Sequence, residues 1–174
     1  MLVDAHANPN PQRDNLTPDI SFYANDDVPD PGSKTDFSTM GLFIELKLAK
    51  ISDPFCDPKD PMQPQAEYSL FEDDSDVSRL NRGQLCSYAA AHTGSQFRVH
   101  TFTLSIYGRS AKFIHWGRAS ATVIRSFDCI KEAHILAYFF WHYAHLNPSQ
   151  RGYDTSVSLV SPADLQKIQY LEKS

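Results

Sequence analysis

Three separated groups of residues have the types and spacing that metal-assisted chemistry requires. Pro18-Asp19 supplies one carboxylate, and Glu45-Leu46-Lys47 supplies a second carboxylate and an ammonium group. Because Glu45 and Lys47 are two positions apart, their side chains project from the same face of a β-strand, roughly 6–7 Å apart along the backbone. Two carboxylates that face one point repel each other unless a cation lies between them, and Mg²⁺ prefers such oxygen ligands.

This pattern predicts a role for each residue. We expect Asp19 and Glu45 to bind Mg²⁺ or Mn²⁺, and Lys47 to activate water or to stabilise charge that develops on a scissile phosphate. Gln84 and Tyr88 are four positions apart, so they share one face of a helix and can support the same site. The alternative for Glu45 and Lys47 is a surface ion pair that contributes only about 0.5 kcal/mol. The apolar residues around this pair favour a central strand instead.

Hydrophobic periodicity predicts the elements that position these residues. Residues 18–24 and 41–48 alternate with period two, so their apolar residues share one face and the carboxylates share the other. The order strand, strand, helix, strand, strand, helix predicts an α/β fold with a mixed central sheet flanked by helices. The other predicted elements are a long acidic loop over 52–76, a helix over 77–92 that stops at Gly94, strands over 97–107, 111–116 and 121–124, a helix over 131–146, and a short terminal helix that opens at 162–165.

The length and charge of the chain limit the classes of protein to which it can belong. The 174 residues suit one domain, and no segment approaches the ~20 apolar residues of a membrane span, so we expect no membrane association. The net charge of −5 argues against a strongly basic nucleic-acid binder. Residues 1–78, however, carry 5 basic and 16 acidic side chains, a net charge of −11, whereas residues 79–174 carry 11 and 5, a net charge of +6.

The basic half of the chain has two interpretations. Its cations can follow the phosphate backbone of DNA or RNA, or they can be ordinary solvated charges that compensate the acidic half. The residues predicted to bind nucleic acid are Arg82, Arg98, Arg109, Lys112 and Arg118.

The cysteines and the start of the chain indicate an intracellular protein, cytoplasmic or nuclear. Cys56, Cys86 and Cys129 are odd in number and widely spaced, without a CxxC pattern, so neither a disulfide framework nor a cysteine zinc site is predicted. The first residues lack the cationic and apolar regions of a secretory signal.

The ordered trio of Asp, Glu-x-Lys and Gln-x-x-x-Tyr resembles the PD-(D/E)xK nuclease superfamily, particularly its RecB-like branch. The resemblance implies a nuclease-like core with Asp19, Glu45 and Lys47 as catalytic residues and Mg²⁺ as cofactor. That core usually begins with a helix, and only 17 residues precede Pro18. We therefore expect a core that lacks its first helix.

A second resemblance covers most of the chain. It is similar to the region that precedes the kinase domain in the fungal-type protein kinase family, where Trp116-Gly117-Arg118 replaces the usual Trp-Asp-Arg. The resemblance implies a nuclease-like domain over 1–148 and an extension over 149–174 toward a kinase-like domain. The kinase motifs are absent from the sequence, so no phosphorylation is expected. The segments that carry the resemblance are Arg82-Gly83-Gln84 with Tyr88, Asp53-Pro54-Phe55, and residues 97–102, 106–108, 113–118, 126–128 and 139–141.

Two functional hypotheses follow. The first is Mg²⁺-dependent cleavage of DNA or RNA phosphodiesters. The second is a non-catalytic module that binds protein or nucleic acid and serves as a scaffold beside a kinase-like protein. A toxin-like effector would share the nuclease chemistry and differ only in its biology.

Overall fold

The structure is a computed structural model that describes residues 1–11, 15–30, 32–58, 71–158, 160–161 and 164. Within these residues it contains a seven-stranded sheet and two α-helices. The elements are β1 (Leu2–Asp4), β2 (Ile20–Phe22), β3 (Leu42–Lys47), α1 (Asp76–Ser95), β4 (His100–Tyr107), β5 (Ser110–Gly117), β6 (Ala121–Val123), β7 (Phe127–Asp128) and α2 (Ala133–His145).

The sheet is mixed, as the order of elements predicts. Its strand order is β1-β2-β3-β4-β5-β6, and β7 pairs with the end of β5 that β6 leaves free. Strands β3 and β4 are parallel because α1 connects them as a crossover, and the other pairs are antiparallel. The α/β class and the mixed sheet are therefore confirmed.

Helix α1 begins at a side-chain cap and runs past its predicted end. Ser75 is the N-cap residue, and its hydroxyl accepts a hydrogen bond from the Ser78 amide at 3.2 Å. The helix continues through Gly94 to Ser95, because a glycine costs a helix only about 1 kcal/mol and does not by itself end one.

The two faces of the sheet pack against different helices. On the α1 face, Phe43 and Tyr23 join a core with Leu85 and Tyr88 of α1. On the α2 face, the alternate residues of β3 join a second core with the aromatic residues of α2. The second core contains Leu42, Ile44, Leu104, Ala111, Phe113, Phe127, Cys129 and Tyr143. The alternation predicted for β2 and β3 is confirmed by this division.

Two elements were not predicted, and parts of two predictions lie outside the described residues. Strand β1 adds an edge to β2, and no α-helix precedes β2 in residues 1–11 and 15–19. Strand β7 has only two residues, too few for a periodic signal. Of the acidic loop over 52–76, residues 59–70 lie outside the described part, as does the terminal helix at 162–165 except for Asp164.

The segment after α2 returns to the start of β4. The Val99 amide donates to the Gly152 carbonyl at 2.8 Å. Gly152 has a φ of +95°, a conformation that favours glycine, and a Cβ there would lie 1.9 Å from the His100 carbonyl oxygen. This approach requires glycine, and it ties the first residues of the predicted extension to the sheet. Within the described residues, no helix is long and apolar enough to cross a bilayer.

Candidate active site

The first two predicted ligands lie on neighbouring strands. Ile20 pairs with Ile44 in antiparallel register, so Asp19 comes opposite Glu45 at the end of β2. The Asp19 carboxylate accepts a hydrogen bond from the Leu46 amide at 2.7 Å, which holds it against β3. The sheet therefore brings the two carboxylates together, as the strand pattern predicts.

Glu45 is buried, and one of its two carboxylate oxygens is hydrogen-bonded to Lys47. Its side chain is 2% exposed, and Lys47 Nζ lies 2.5 Å from Oε1, whereas the Lys47 side chain is 27% exposed. Oε2 is buried and has no hydrogen-bonding partner among the described residues. Burial raises the pKa of Glu45, the charge of Asp19 raises it further, and the hydrogen bond from Lys47 opposes both. Since a central strand buries Glu45, the alternative of a surface ion pair does not apply.

Gln84 and Tyr88 support the site indirectly. Gln84 Nε2 donates to the Tyr88 hydroxyl at 2.7 Å, and that hydroxyl donates to the Thr17 carbonyl at 2.7 Å. This chain of hydrogen bonds holds the backbone just before Asp19. Burial raises the pKa of Tyr88 to about 12, and the negative charges of Glu45 and Asp19 contribute to the shift. Tyr88 therefore stays neutral and positions the loop that carries Asp19.

Asp19 also faces an open groove. The groove has a volume of about 440 Å³ and is lined by the ends of β1, β2 and β3, with Asp4, His6 and Leu46 beside Asp19. His6 Nδ1 and Asp4 Oδ1 are 2.6 Å apart, and both side chains are exposed. The hydrogen bond with Asp4 raises the pKa of His6. Solvent and a polar ligand can thus reach Asp19 from the groove.

The carboxylate pair suits a hard divalent cation. Within the described residues, no group of three or more His, Cys, Asp or Glu side chains is placed to hold a metal ion. Mg²⁺, however, is bound in proteins through one or two carboxylates and keeps several waters. The buried Oε2 of Glu45 and the nearby charge of Asp19 suit such a cation. Without a cation, the burial of Oε2 and the repulsion from Asp19 both make the ionised form of Glu45 less favourable.

A second polar cluster continues from the carboxylates along the α1 face. Ser105 pairs with Glu45 on one side and with Lys112 on the other, so the three side chains form a row across β3, β4 and β5. Lys112 is 1% exposed, and its ammonium lies 3.0 Å from Asp53 and 3.3 Å from Asp57. This row was not predicted, although polar residues at alternate positions of a predicted strand were a signal for it.

The pKa values of the two carboxylates in this cluster shift in opposite directions. Burial raises the pKa of Asp53, and Lys112 only partly offsets this. Asp57 is also partly desolvated, but hydrogen bonds from the Ser126 hydroxyl and amide, together with Lys112, lower its pKa overall. These contacts join the first part of the acidic loop to Lys112 of β5 and to Ser126, the residue before β7.

Two of the five predicted nucleic-acid-binding residues are inside the protein. Lys112 is enclosed by the carboxylates just described and by the Phe55 carbonyl. Arg98 is 2% exposed, donates to the carbonyls of Met40 and Arg151, and stacks 4.0 Å from the centre of the Tyr153 ring. The prediction must be corrected for both residues, because buried and bonded cations cannot follow a phosphate backbone.

The other three predicted residues are at or near the surface, and each has an acidic partner. Arg82 lies 3.3 Å from Glu72, Arg109 lies 3.0 Å from Asp128, and Arg118 lies 3.1 Å from Asp154. Such exposed pairs are weak, so a phosphate can compete for the guanidinium groups.

Comparisons with protein-family models, curated proteins and solved structures find no significant match to this chain.

Proposed function

We propose that this chain is a divalent-cation-dependent nuclease domain that cleaves DNA or RNA phosphodiesters, with a PD-(D/E)xK-like core. The observation that carries the proposal is the buried Glu45 on a central strand, with Oε1 bonded to Lys47 and Oε2 without a partner among the described residues, beside Asp19. Buried acids beside a second acid are costly, and such arrangements are concentrated at functional sites. The resemblance to the region before the kinase domain of fungal-type protein kinases is part of the same proposal.

Each residue has one task in the proposed reaction. Asp19 and Glu45 would hold Mg²⁺ or Mn²⁺, which supplies Lewis-acid polarisation of the phosphate and of water. Lys47 favours the ionised form of Glu45 and places an ammonium group where negative charge grows on the phosphate. Gln84 and Tyr88 fix the backbone before Asp19 through the Thr17 carbonyl.

Cleavage of fluorescent single- and double-stranded DNA and RNA tests the proposal. Glu45→Ala and Lys47→Ala are each expected to lower the cleavage rate by at least about 100-fold, because the first removes a cation ligand and the second removes the ammonium group beside the reacting phosphate. Lys50→Ala is the matched control, since Lys50 is an exposed lysine three positions after Lys47. Equal rates in the wild-type protein, Glu45→Ala and Lys47→Ala would refute the catalytic role.

A binding module without catalysis is the second candidate function. It is favoured by two exposed aromatic side chains on the outer side of α2, Tyr138 at 68% and Trp141 at 59% exposure. Exposed aromatic residues are frequent at protein interfaces. This candidate predicts no cleavage by the wild-type protein with either cation.

A further inference from the structure

Two histidine rings are in contact on the α2 face of the sheet. His100 lies on β4 and His115 on β5, and their ring centroids are 4.9 Å apart, with the planes tilted by 47°. The strand register explains this contact, because His115 pairs with Phe102 and His100 is therefore its diagonal neighbour on the same face. Phe102 contacts both histidine rings and also Phe139 and Tyr143 of α2, so the histidine pair lies at the border of the α2 core.

The two imidazoles lie together without an acidic partner. Within the described residues, the one ion pair that includes a histidine is that of His6 with Asp4. Burial lowers the pKa of His115, and the charge of a protonated His100 lowers it further, so His115 is neutral at neutral pH. Neutral imidazole is the most common protein ligand for borderline metal ions such as Zn²⁺.

A backbone contact sets the proton position on His100. Its Nε2 lies 3.1 Å from the Gln150 carbonyl oxygen. Because a carbonyl oxygen only accepts, Nε2 carries the proton of the neutral ring, and Nδ1 keeps its lone pair. Metal-binding histidines usually donate their second ring N–H to a carbonyl or a carboxylate in this way. The Gln150 contact therefore orients His100 and leaves one of its nitrogens available as a ligand.

The pair is accessible and closely spaced. Both histidines are half-buried, and Thr122, which pairs with His115 from the edge strand β6, is exposed. Water can therefore reach this part of the sheet. A centroid separation of 4.9 Å is short enough for one nitrogen of each ring to bind the same ion at Zn–N distances of about 2.0–2.1 Å.

The other histidines of the α2 side are arranged differently. His145 Nδ1 donates to the Trp141 carbonyl of its own helix, and the ring of His142 contacts Tyr138 and Trp141. Among the ring contacts of the described residues, His100 and His115 form the one pair of touching imidazoles. His142 is thus a suitable control for His115, since it is a histidine of the same side with aromatic neighbours.

We propose that His100 and His115 form a binding site for a borderline divalent metal ion such as Zn²⁺, with two imidazole ligands and water in the other coordination positions. This site does not depend on the proposed nuclease activity, because it differs from the carboxylate pair in both face and ligand type. Imidazole suits Zn²⁺, whereas carboxylate oxygen suits Mg²⁺. Since His100 also contacts Gln150, a bound ion joins the β4–β5 hairpin to the segment after α2 and stabilises the folded chain.

Isothermal titration calorimetry with Zn²⁺ at neutral pH tests the site, with excess Mg²⁺ present to occupy carboxylate oxygens. His100→Gln and His115→Gln are each expected to weaken Zn²⁺ binding by at least about 10-fold, because even outer partners of metal ligands change affinity by 10- to 100-fold. His142→Gln should keep the wild-type affinity. In denaturant unfolding, Zn²⁺ should raise the midpoint of the wild-type protein and leave that of His115→Gln unchanged. Unfolding with a chelator shows whether each variant folds without the ion.

Three results would overturn the site. They are a wild-type protein that does not bind Zn²⁺, equal affinities in the wild-type protein, His100→Gln and His115→Gln, or an equal loss in His142→Gln, which would place the ion on α2. The imidazole NMR signals of the wild-type protein give a readout that needs no variant. Zn²⁺ should shift the signals of His100 and His115 and leave those of His142 in place, and unchanged signals of the pair would also refute the assignment.

Discussion

The two faces of the sheet are both covered by a helix, but the residues buried beneath the two helices differ in chemistry. On the α2 face, Phe113 stacks on Phe139 with ring centroids 4.0 Å apart, and the surrounding core is aromatic and aliphatic. On the α1 face, an apolar core adjoins a row of buried charges and hydroxyls around Glu45 and Lys112. The α2 face stabilises the fold at little electrostatic cost, whereas the α1 face carries groups that are expensive to bury and chemically useful.

The largest expected effect on stability is on the α2 face. Phe113→Ala should lower the free energy of unfolding by about 4 kcal/mol, because it leaves a cavity between Phe127 and Phe139. Denaturant unfolding measures the loss, and Ile124→Ala, at a residue 43% exposed, should change stability far less. Mn²⁺ binding by folded Phe113→Ala should be unaffected. If folded Phe113→Ala also lost Mn²⁺ binding, the packing of the α2 face and the site on the α1 face would not be independent.

The next effect concerns the buried ion cluster of the α1 face. Lys112→Met should cost about 3 kcal/mol, because Asp53 is left buried without its cation. The double variant Asp53→Asn/Lys112→Met should recover part of that loss, since it removes both charges. Equilibrium unfolding of the single and double variants gives the coupling energy. A double variant less stable than Lys112→Met would contradict this account.

A pH dependence of stability also originates on the α1 face. His92 is completely buried, its Nε2 donates to the Met40 carbonyl at 2.7 Å, and its Nδ1 accepts from the Thr101 hydroxyl at 2.8 Å. Both bonds suit the neutral ring. Burial, together with the charge of Arg98, lowers the pKa of His92 from 6.5 to about 3.

The sign of the pH effect follows from linkage. Between about pH 6.5 and about pH 3 the unfolded chain binds a proton at His92 that the folded protein does not, so stability is full above this window and falls as the pH decreases through it. The contribution is about 1.4 kcal/mol per pH unit. Unfolding across the window should show a shallower slope for His92→Gln than for the wild-type protein. His134→Gln, at an exposed histidine of α2, should keep the wild-type slope.

Local patterns in the sequence were sufficient for much of the fold. Period-two alternation placed Ile20, Phe22 and Ile44 on one face of the sheet, and the structure confirms that they share one core. The pattern succeeded because side-chain direction in a strand is set by the backbone itself. Strands β1 and β7 were not predicted, because a strand of two or three residues is too short to show an alternating pattern.

The basic residues show where sequence reasoning ends. Arg98 and Lys112 lie in predicted strands and Arg109 and Arg118 follow them, but a strand position alone does not say whether a charged side chain is buried. Burial is decided by contacts with Arg151 and Asp53, which are 53 and 59 positions away in the chain. A contact over such a separation leaves no local signature.

The sequence by itself determined the α/β class, the mixed sheet, and the residues that carry acid, base and amide groups at Asp19, Glu45, Lys47 and Gln84. Only the tertiary structure decided that Glu45 is buried with one oxygen unpaired, that Tyr88 acts through the Thr17 carbonyl, and that Ser105 and Tyr107 stand beside the site. The physical reason is that periodicity is a property of a single strand. Burial and hydrogen bonding depend instead on which strands and helices pack together.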